Sequence, residues 1–284
     1  MVCCPRIDNP MPWLIVRLID MVRSFPNLRC CLMVGIGGGA PHLPEHDIRL
    51  GDVVVSSPRN GVGGILQYDH GKAIQNQPFQ NTQHLNEPPR YLMSAVGELV
   101  QRYELDDIPL QRMVDEAFAK NPKLKRKYRR PGASTDRLYR SDYVHVKSDK
   151  AGESIKAREC LDLCGDDASN VVDRPRREEG PDDLMVHRGI IASGSALMRD
   201  ATIRDKWATE KGVRCFEMEA AGLMNTFPCL VIRGICDYSD THKSDDWRGF
   251  AAMMAAAYAK QVLSVLQPWT IQEMDKITTR DIQG

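Results

Sequence analysis

Short apolar runs alternate with longer amphipathic stretches along this chain. Cys31-Leu32-Met33-Val34 is a run of strand length and is followed at once by Gly35-Ile36-Gly37-Gly38-Gly39. Asp52–Val55 is a second, bounded by Gly51 and by Ser56-Ser57-Pro58. Residues 89–103 carry apolar side chains at Leu92, Val96, Leu99 and Val100, the spacing of one helix face. Further on, Met185–Ala192 predicts a strand, Ser193-Gly194-Ser195 a turn, and Ala196–Lys211 a helix that Gly212 stops. Val213–Phe216 predicts a strand, Glu217–Asn225 a short helix, and Cys229–Cys236 the most strongly apolar strand. Trp247–Leu266 predicts a helix capped by Asp245 or Asp246. Near the start, residues 13–23 predict a short helix that Ser24-Phe25-Pro26 ends. Strands alternating with helices imply an α/β fold built on one sheet, at least partly parallel and covered on both faces.

Residues 104–183 break this rhythm. Six basic side chains crowd into Lys123–Arg130, and Asp166-Asp167, Glu178-Glu179 and Asp182-Asp183 carry the opposite sign. The zone is expected to be an insertion from the core, with the basic run a solvated helix face. Lys+Arg and Asp+Glu are 38 each in 284 residues, so the net charge is zero. That balance argues against a nucleic-acid binder. No apolar run is long enough for a membrane span. The nine Cys, with Cys3–Cys4 and Cys30–Cys31 adjacent, do not form a disulfide framework, and no secretory signal opens the chain. A reducing, cytoplasmic setting is expected. Cys160 and Cys164 stand at CxxxC spacing with His145 upstream. A zinc site needs a fourth ligand, which the sequence does not name, so no metal is assigned.

Three features could carry chemistry. The glycines from Gly35 to Gly39 would let a backbone turn approach a ligand. They form no P-loop, since no Lys-Ser/Thr follows, and Pro41 and Pro44 exclude a helix opening after them. Asp237 ends the apolar strand, where α/β sheets place ligands, and a carboxyl group among apolar walls suits a general acid. In Phe216-Glu217-Met218-Glu219-Ala220-Ala221-Gly222, the two carboxylates point apart if the segment is helical. One could accept hydrogen bonds from vicinal hydroxyls while the other orients the loop. Alternatively, they complement a helix N-terminus.

In order, Val-Gly-Ile-Gly-Gly-Gly (34–39), Arg-Leu-Gly-Asp-Val-Val-Val (49–55), Ile-Ala-Ser-Gly (191–194), Phe-Glu-Met-Glu-Ala-Ala-Gly (216–222) and Arg-Gly-Ile-Cys-Asp (233–237) are more specific together. The chain resembles the purine nucleoside phosphorylase / uridine phosphorylase / methylthioadenosine–adenosylhomocysteine nucleosidase superfamily, most of all its fungal branch, whose domains often head NLR-like or ankyrin proteins. The resemblance covers residues 24–266. It implies a three-layer αβα fold around a central mixed sheet, with 1–23 divergent, 104–183 inserted and 267–284 a tail. Residues 1–23 do not match the family's opening, so the first strands are expected to be missing.

The resemblance also implies roles. Asp237 falls on the acid that protonates N7 of a purine leaving group. Glu219 falls on the carboxylate that holds the ribose hydroxyls, and Met218 on the residue packed against the sugar. Gly37 and Gly38 run along the base, and Leu197 and Met198 fall where the base is clamped. Cys236 replaces a frequent Ser beside the acid. Where phosphorylases bind phosphate, this chain has Met33 and Ile36, which cannot hold an anion. The implied activity is therefore hydrolysis of a purine nucleoside, with no cofactor and with a homo-oligomeric assembly. Phosphorolysis, and a degenerate nucleoside- or partner-binding domain, are the alternatives.

Overall fold

The computed structural model describes residues 10–77, 79–82, 84–105, 110–145, 157–165, 167–175, 177, 184–267, 272 and 276–277. Cys3, Cys4, Asp166 and the acidic residues of 178–183 lie outside them.

The elements run α1 (Pro10–Ser24), β1 (Leu32–Gly39), β2 (Val53–Ser56), β3 (Ile65–Gln67), β4 (Gly71–Lys72), β5 (Gln80–Asn81), α2 (Arg90–Leu105), α3 (Leu110–Lys120), α4 (Pro122–Tyr128) and α5 (Ala157–Cys164). They continue with β6 (Val186–Ser193), α6 (Ala201–Lys211), β7 (Val213–Glu217), α7 (Ala221–Met224), β8 (Leu230–Asp237) and α8 (Arg248–Val265). β4 and β5 form a separate two-stranded ribbon.

The central sheet is mixed, in the order β2-β8-β1-β7-β6-β3. β1 runs parallel to β8 and antiparallel to β7. β6 runs parallel to β7 and β3. β2 pairs antiparallel with β8 and parallel with β6, which closes five of the strands on themselves.

Every residue of β8 is buried, as the unbroken apolar run requires. α8 lies across β8, β1 and β2, and α2, α3 and α4 pack against α8 in turn. The approach of α8 to β8 is close: a Cβ on Gly234 would fall on the Ala251 carbonyl group, 2.5 Å from its carbon. α6 packs on β7, and α7 on β3 and α1. Leu18 and Val22 of α1 enter the main core. So do Leu110, Val114 and Phe118 of α3, which lies within the zone expected to leave the core. α4, which holds most of the basic run, buries no side chain.

Several boundaries differ from expectation, each for a local reason. The glycines after Val34 are not a turn but the second half of β1. A Cβ on Gly35 would meet the Arg233 guanidinium. One on Gly37 would meet Cys215 Sγ and lie 2.8 Å from the Phe216 carbonyl oxygen. The glycines thus make room for neighbouring strands rather than for a bend. The pairing of β1 with β8 shifts by one residue between Gly37 and Gly38, a bulge beside the strand ends. α6 begins at Ala201, not Ala196, because the Asp200 carboxylate caps it, accepting from the Ile203 N–H at 3.0 Å. Gly212 ends it with φ 69°, as expected. Glu217 closes β7, and Met218-Glu219-Ala220 form a turn before α7. α8 has no side-chain cap, and Asp245 pairs instead with Arg248 at 2.8 Å. Among the described residues the cysteines are free, and no helix is long and apolar enough to cross a membrane.

Candidate functional site

The C-terminal ends of β1, β7 and β8 and the segment before α6 surround an open cavity. All eight residues singled out in the sequence line it. Gly37 and Gly38 come from β1, and Met218 and Glu219 from the turn after β7. Cys236 and Asp237 come from β8, and Leu197 and Met198 from the loop that the late start of α6 leaves free. Leu197 is half exposed, whereas Met198 packs against the apolar cluster around Phe216. Ile36, Ala196, Phe216, Glu217, Ser239, Lys243 and Arg248 complete the wall.

Asp237 is only 4% exposed, and each of its oxygens is held. Oδ1 accepts from the Ser239 N–H at 2.9 Å. Oδ2 accepts from the Lys243 ammonium at 2.7 Å and from the Cys236 thiol at 3.2 Å. Burial pushes the Cys236 thiol well above its usual range, so it remains a neutral donor. Ser239 adopts φ 54°, a left-handed conformation that costs a residue with a Cβ about 1 kcal/mol or more. The turn fits because Gly38 has no side chain: a Cβ there would meet Ser239 Oγ and lie 2.6 Å from Asp237 Oδ1.

The second group is the buried pair Glu217 and Arg233 with the half-buried Glu219. Glu217 accepts from the N–H groups of Glu219 and Ala220, all at 3.1 Å, and so fixes the turn. Ser193 Oγ accepts from the Ala221 N–H at 2.9 Å and anchors the next residue to β6. Arg233 reaches under β1 through the space left by Gly35 and pairs with Glu217 and, at 2.9 Å, with Glu219. The two carboxylates, expected to point apart on a helix, meet on one guanidinium because they lie in a strand end and a turn. Burial raises the Glu219 carboxyl to about 7; Arg233 opposes the rise and Glu217 adds to it.

Lys243, Arg248 and Ser239 carry no periodic or motif signal that would have found them in the sequence. Arg233 does carry one: a lone charge inside the most apolar strand has to be paired.

No family model matches the chain. Over 254 residues, 89% of the chain, it is 40% identical to a nucleotide-binding leucine-rich repeat (NLR)-like protein of Hyaloscypha variabilis, of which it spans 23%. Over 79 residues, 26% of the chain, it is 33% identical to an ATP nucleosidase of Escherichia coli, of which the match spans 16%. The chain thus spans less than a quarter of the length of the curated relatives it matches. Among solved structures it is similar to futalosine hydrolase of Helicobacter pylori, with a TM-score of 0.50 and 14% identity, covering 89% of this chain and 75% of that one. It is equally similar to 5′-methylthioadenosine/S-adenosylhomocysteine nucleosidase of Neisseria meningitidis, with a TM-score of 0.50 and 14% identity over 90% and 78%. With its mixed sheet and its alternating order of strands and helices, the chain has the fold of the purine nucleoside phosphorylase / uridine phosphorylase / methylthioadenosine–adenosylhomocysteine nucleosidase superfamily.

Proposed function

We propose that the chain hydrolyses the N-glycosidic bond of purine nucleosides. The observation that carries this reading is the convergence of Asp237 and Glu219 on one cavity at the strand ends. A purine leaves as a neutral base only if N7 takes a proton as the C1′–N9 bond breaks. Asp237 donates that proton as general acid. The sugar becomes an oxocarbenium ion, and water adds to C1′ and returns a proton to Asp237. Glu219 accepts hydrogen bonds from the 2′- and 3′-hydroxyls, and Met218 packs against the sugar. The Gly37-Gly38 backbone follows one face of the base, and Leu197 and Met198 clamp the other. Lys243 gives up Asp237 Oδ2 to the incoming base.

Water is the nucleophile in this reading because Met33 and Ile36 cannot bind phosphate and Arg233 is taken by Glu217 and Glu219. Lys243 and Arg248 on the cavity wall favour a second reading, in which the nucleoside carries 5′-phosphates. The same acid and the same ribose carboxylate serve both.

The test is base release from adenosine, inosine, guanosine and ATP, with and without phosphate, beside Asp237→Asn. Phosphate-independent release of base and free ribose, lost in Asp237→Asn, is expected. Formation of ribose 1-phosphate would make the chain a phosphorylase. Saturable nucleoside binding without turnover would make it a binding domain.

A further inference from the structure

We propose that His145, Cys160, Cys164 and His242 form a zinc site that ties α5 to the turn following β8. α5 places Cys160 and Cys164 one helical turn apart on one face. His145 Nδ1 lies 3.5 Å from Cys160 Sγ and 3.1 Å from Cys164 Sγ. The three ligand atoms fall within 4.8 Å of one another, and all three residues are buried. A tetrahedral zinc ion with ordinary Zn–S and Zn–N bonds separates its nitrogen and sulfur ligands by about 3.5 Å. The geometry is therefore already close to that of a filled site.

The sequence left this group one ligand short, and the fold sets His242 beside it, outside the 4.8 Å that spans the three ligand atoms, so the His242 ring has to turn inward to complete the site. Its ring lies 5.5 Å from that of His145, centroid to centroid. Both of its nitrogens are buried without a hydrogen-bond partner, and Asp240 stands 3.8 Å from Nδ1. Buried imidazole nitrogens without partners are costly, and a metal ion relieves that cost directly. Tyr139 stacks on the His242 ring at 4.0 Å and 20°, which fixes its plane and leaves its edge to act. The His145 backbone N–H donates to the Thr241 side-chain Oγ1 at 2.9 Å, so a hydrogen bond already joins the two histidine segments.

Two thiolates and two imidazoles select zinc over magnesium or calcium. On binding, Zn²⁺ replaces the two S–H protons, which pass to solvent, and nothing is oxidised or reduced. The turn after β8 runs from Asp237, on the cavity wall, to His242. The ion would thus brace the segment that carries Asp237.

The test is metal analysis of the full chain, expressed in zinc-supplemented medium and purified without chelator. About one zinc per chain is expected. Cobalt added to the stripped protein should give the intense visible bands of a tetrahedral site and a thiolate-to-cobalt charge-transfer band. Cys160→Ser and Cys164→Ser should lose the charge-transfer intensity stepwise, and His242→Gln should weaken cobalt binding about tenfold or more. Zinc-free protein that gives only the colour of aqueous cobalt would overturn the site, as would a Cys160–Cys164 disulfide found by mass. Undiminished affinity in His242→Gln would overturn the fourth ligand.

Discussion

Arg233 holds Glu219 at 2.9 Å from beneath the glycine half of β1. A charge from the core of the sheet is thereby spent on a carboxylate that faces the cavity. The same guanidinium grips Glu217, which in turn fixes the backbone of Glu219 and Ala220. One buried cation therefore ties together the two carboxylates of this turn.

Removing that cation leaves the buried Glu217 and the half-buried Glu219 without it. Arg233→Met is expected to destabilise the protein by about 3–5 kcal/mol, the cost of breaking a buried pair from one side. Thermal unfolding at pH 7 should show a melting temperature lower by about 10 °C. A change within 2 °C or so would mean that Glu217 and Glu219 do not depend on Arg233.

Glu219 predicts a pH dependence of a particular sign. Its carboxyl is raised to about 7, chiefly by burial, so the fold prefers it protonated. The stability it lends is full below the ordinary carboxylate range and is lost as pH rises to about 7. Substrate binding should run the other way, because only the ionised form accepts from both ribose hydroxyls. KM is expected to fall as pH rises through 7 or so, while the melting temperature falls too. Glu219→Gln should flatten both slopes. A KM independent of pH in the unmodified protein would remove Glu219 from the sugar site.

Much of the sheet was legible because its strands are short apolar runs between turn residues. β8 reads as a buried strand from its composition alone, and α2 from its 3.6-residue period. The glycines of β1 misread as a turn for a physical reason. Glycine marks close approach as well as bending, and here Arg233, Cys215 and the Phe216 carbonyl fill the space that side chains would need. The start of α6 was obscured because Ala196–Arg199 does not forbid helix, and only the Asp200 cap fixes the boundary. Asp237 and Glu219 stood out through their places in the chain. Lys243 did not, because nothing local dictates that its ammonium turns back onto Asp237.

Gly38 tests how Asp237 is positioned. An added Cβ would press on Ser239 Oγ and Asp237 Oδ1, whose mutual arrangement already stores strain at Ser239. Gly38→Ala is expected to lower kcat by about 100-fold, as a misplaced acid does, with the protein still folded. Circular dichroism and the melting curve establish the fold, and initial rates read the effect. If Gly38→Ala keeps full activity, the carboxyl does not need its present position.

Leu197 tests the proposed base clamp. It is half exposed at the cavity mouth, in the loop that the Asp200 cap keeps out of α6. A branched aliphatic side chain covers a purine ring but offers no stacking face. An aromatic pair adds about 0.5–1.5 kcal/mol beyond burial, a factor of about 2–10 in affinity. Leu197→Phe is therefore expected to lower KM for a purine nucleoside about 2–10-fold and to leave kcat nearly unchanged. The base is already held before the bond breaks, so the added contact is equal in ground and transition states. Steady-state kinetics on adenosine, with a pyrimidine nucleoside added as a competitive inhibitor, separate the cases, since the smaller ring gains less from stacking. An unchanged KM for the purine would place the base away from Leu197.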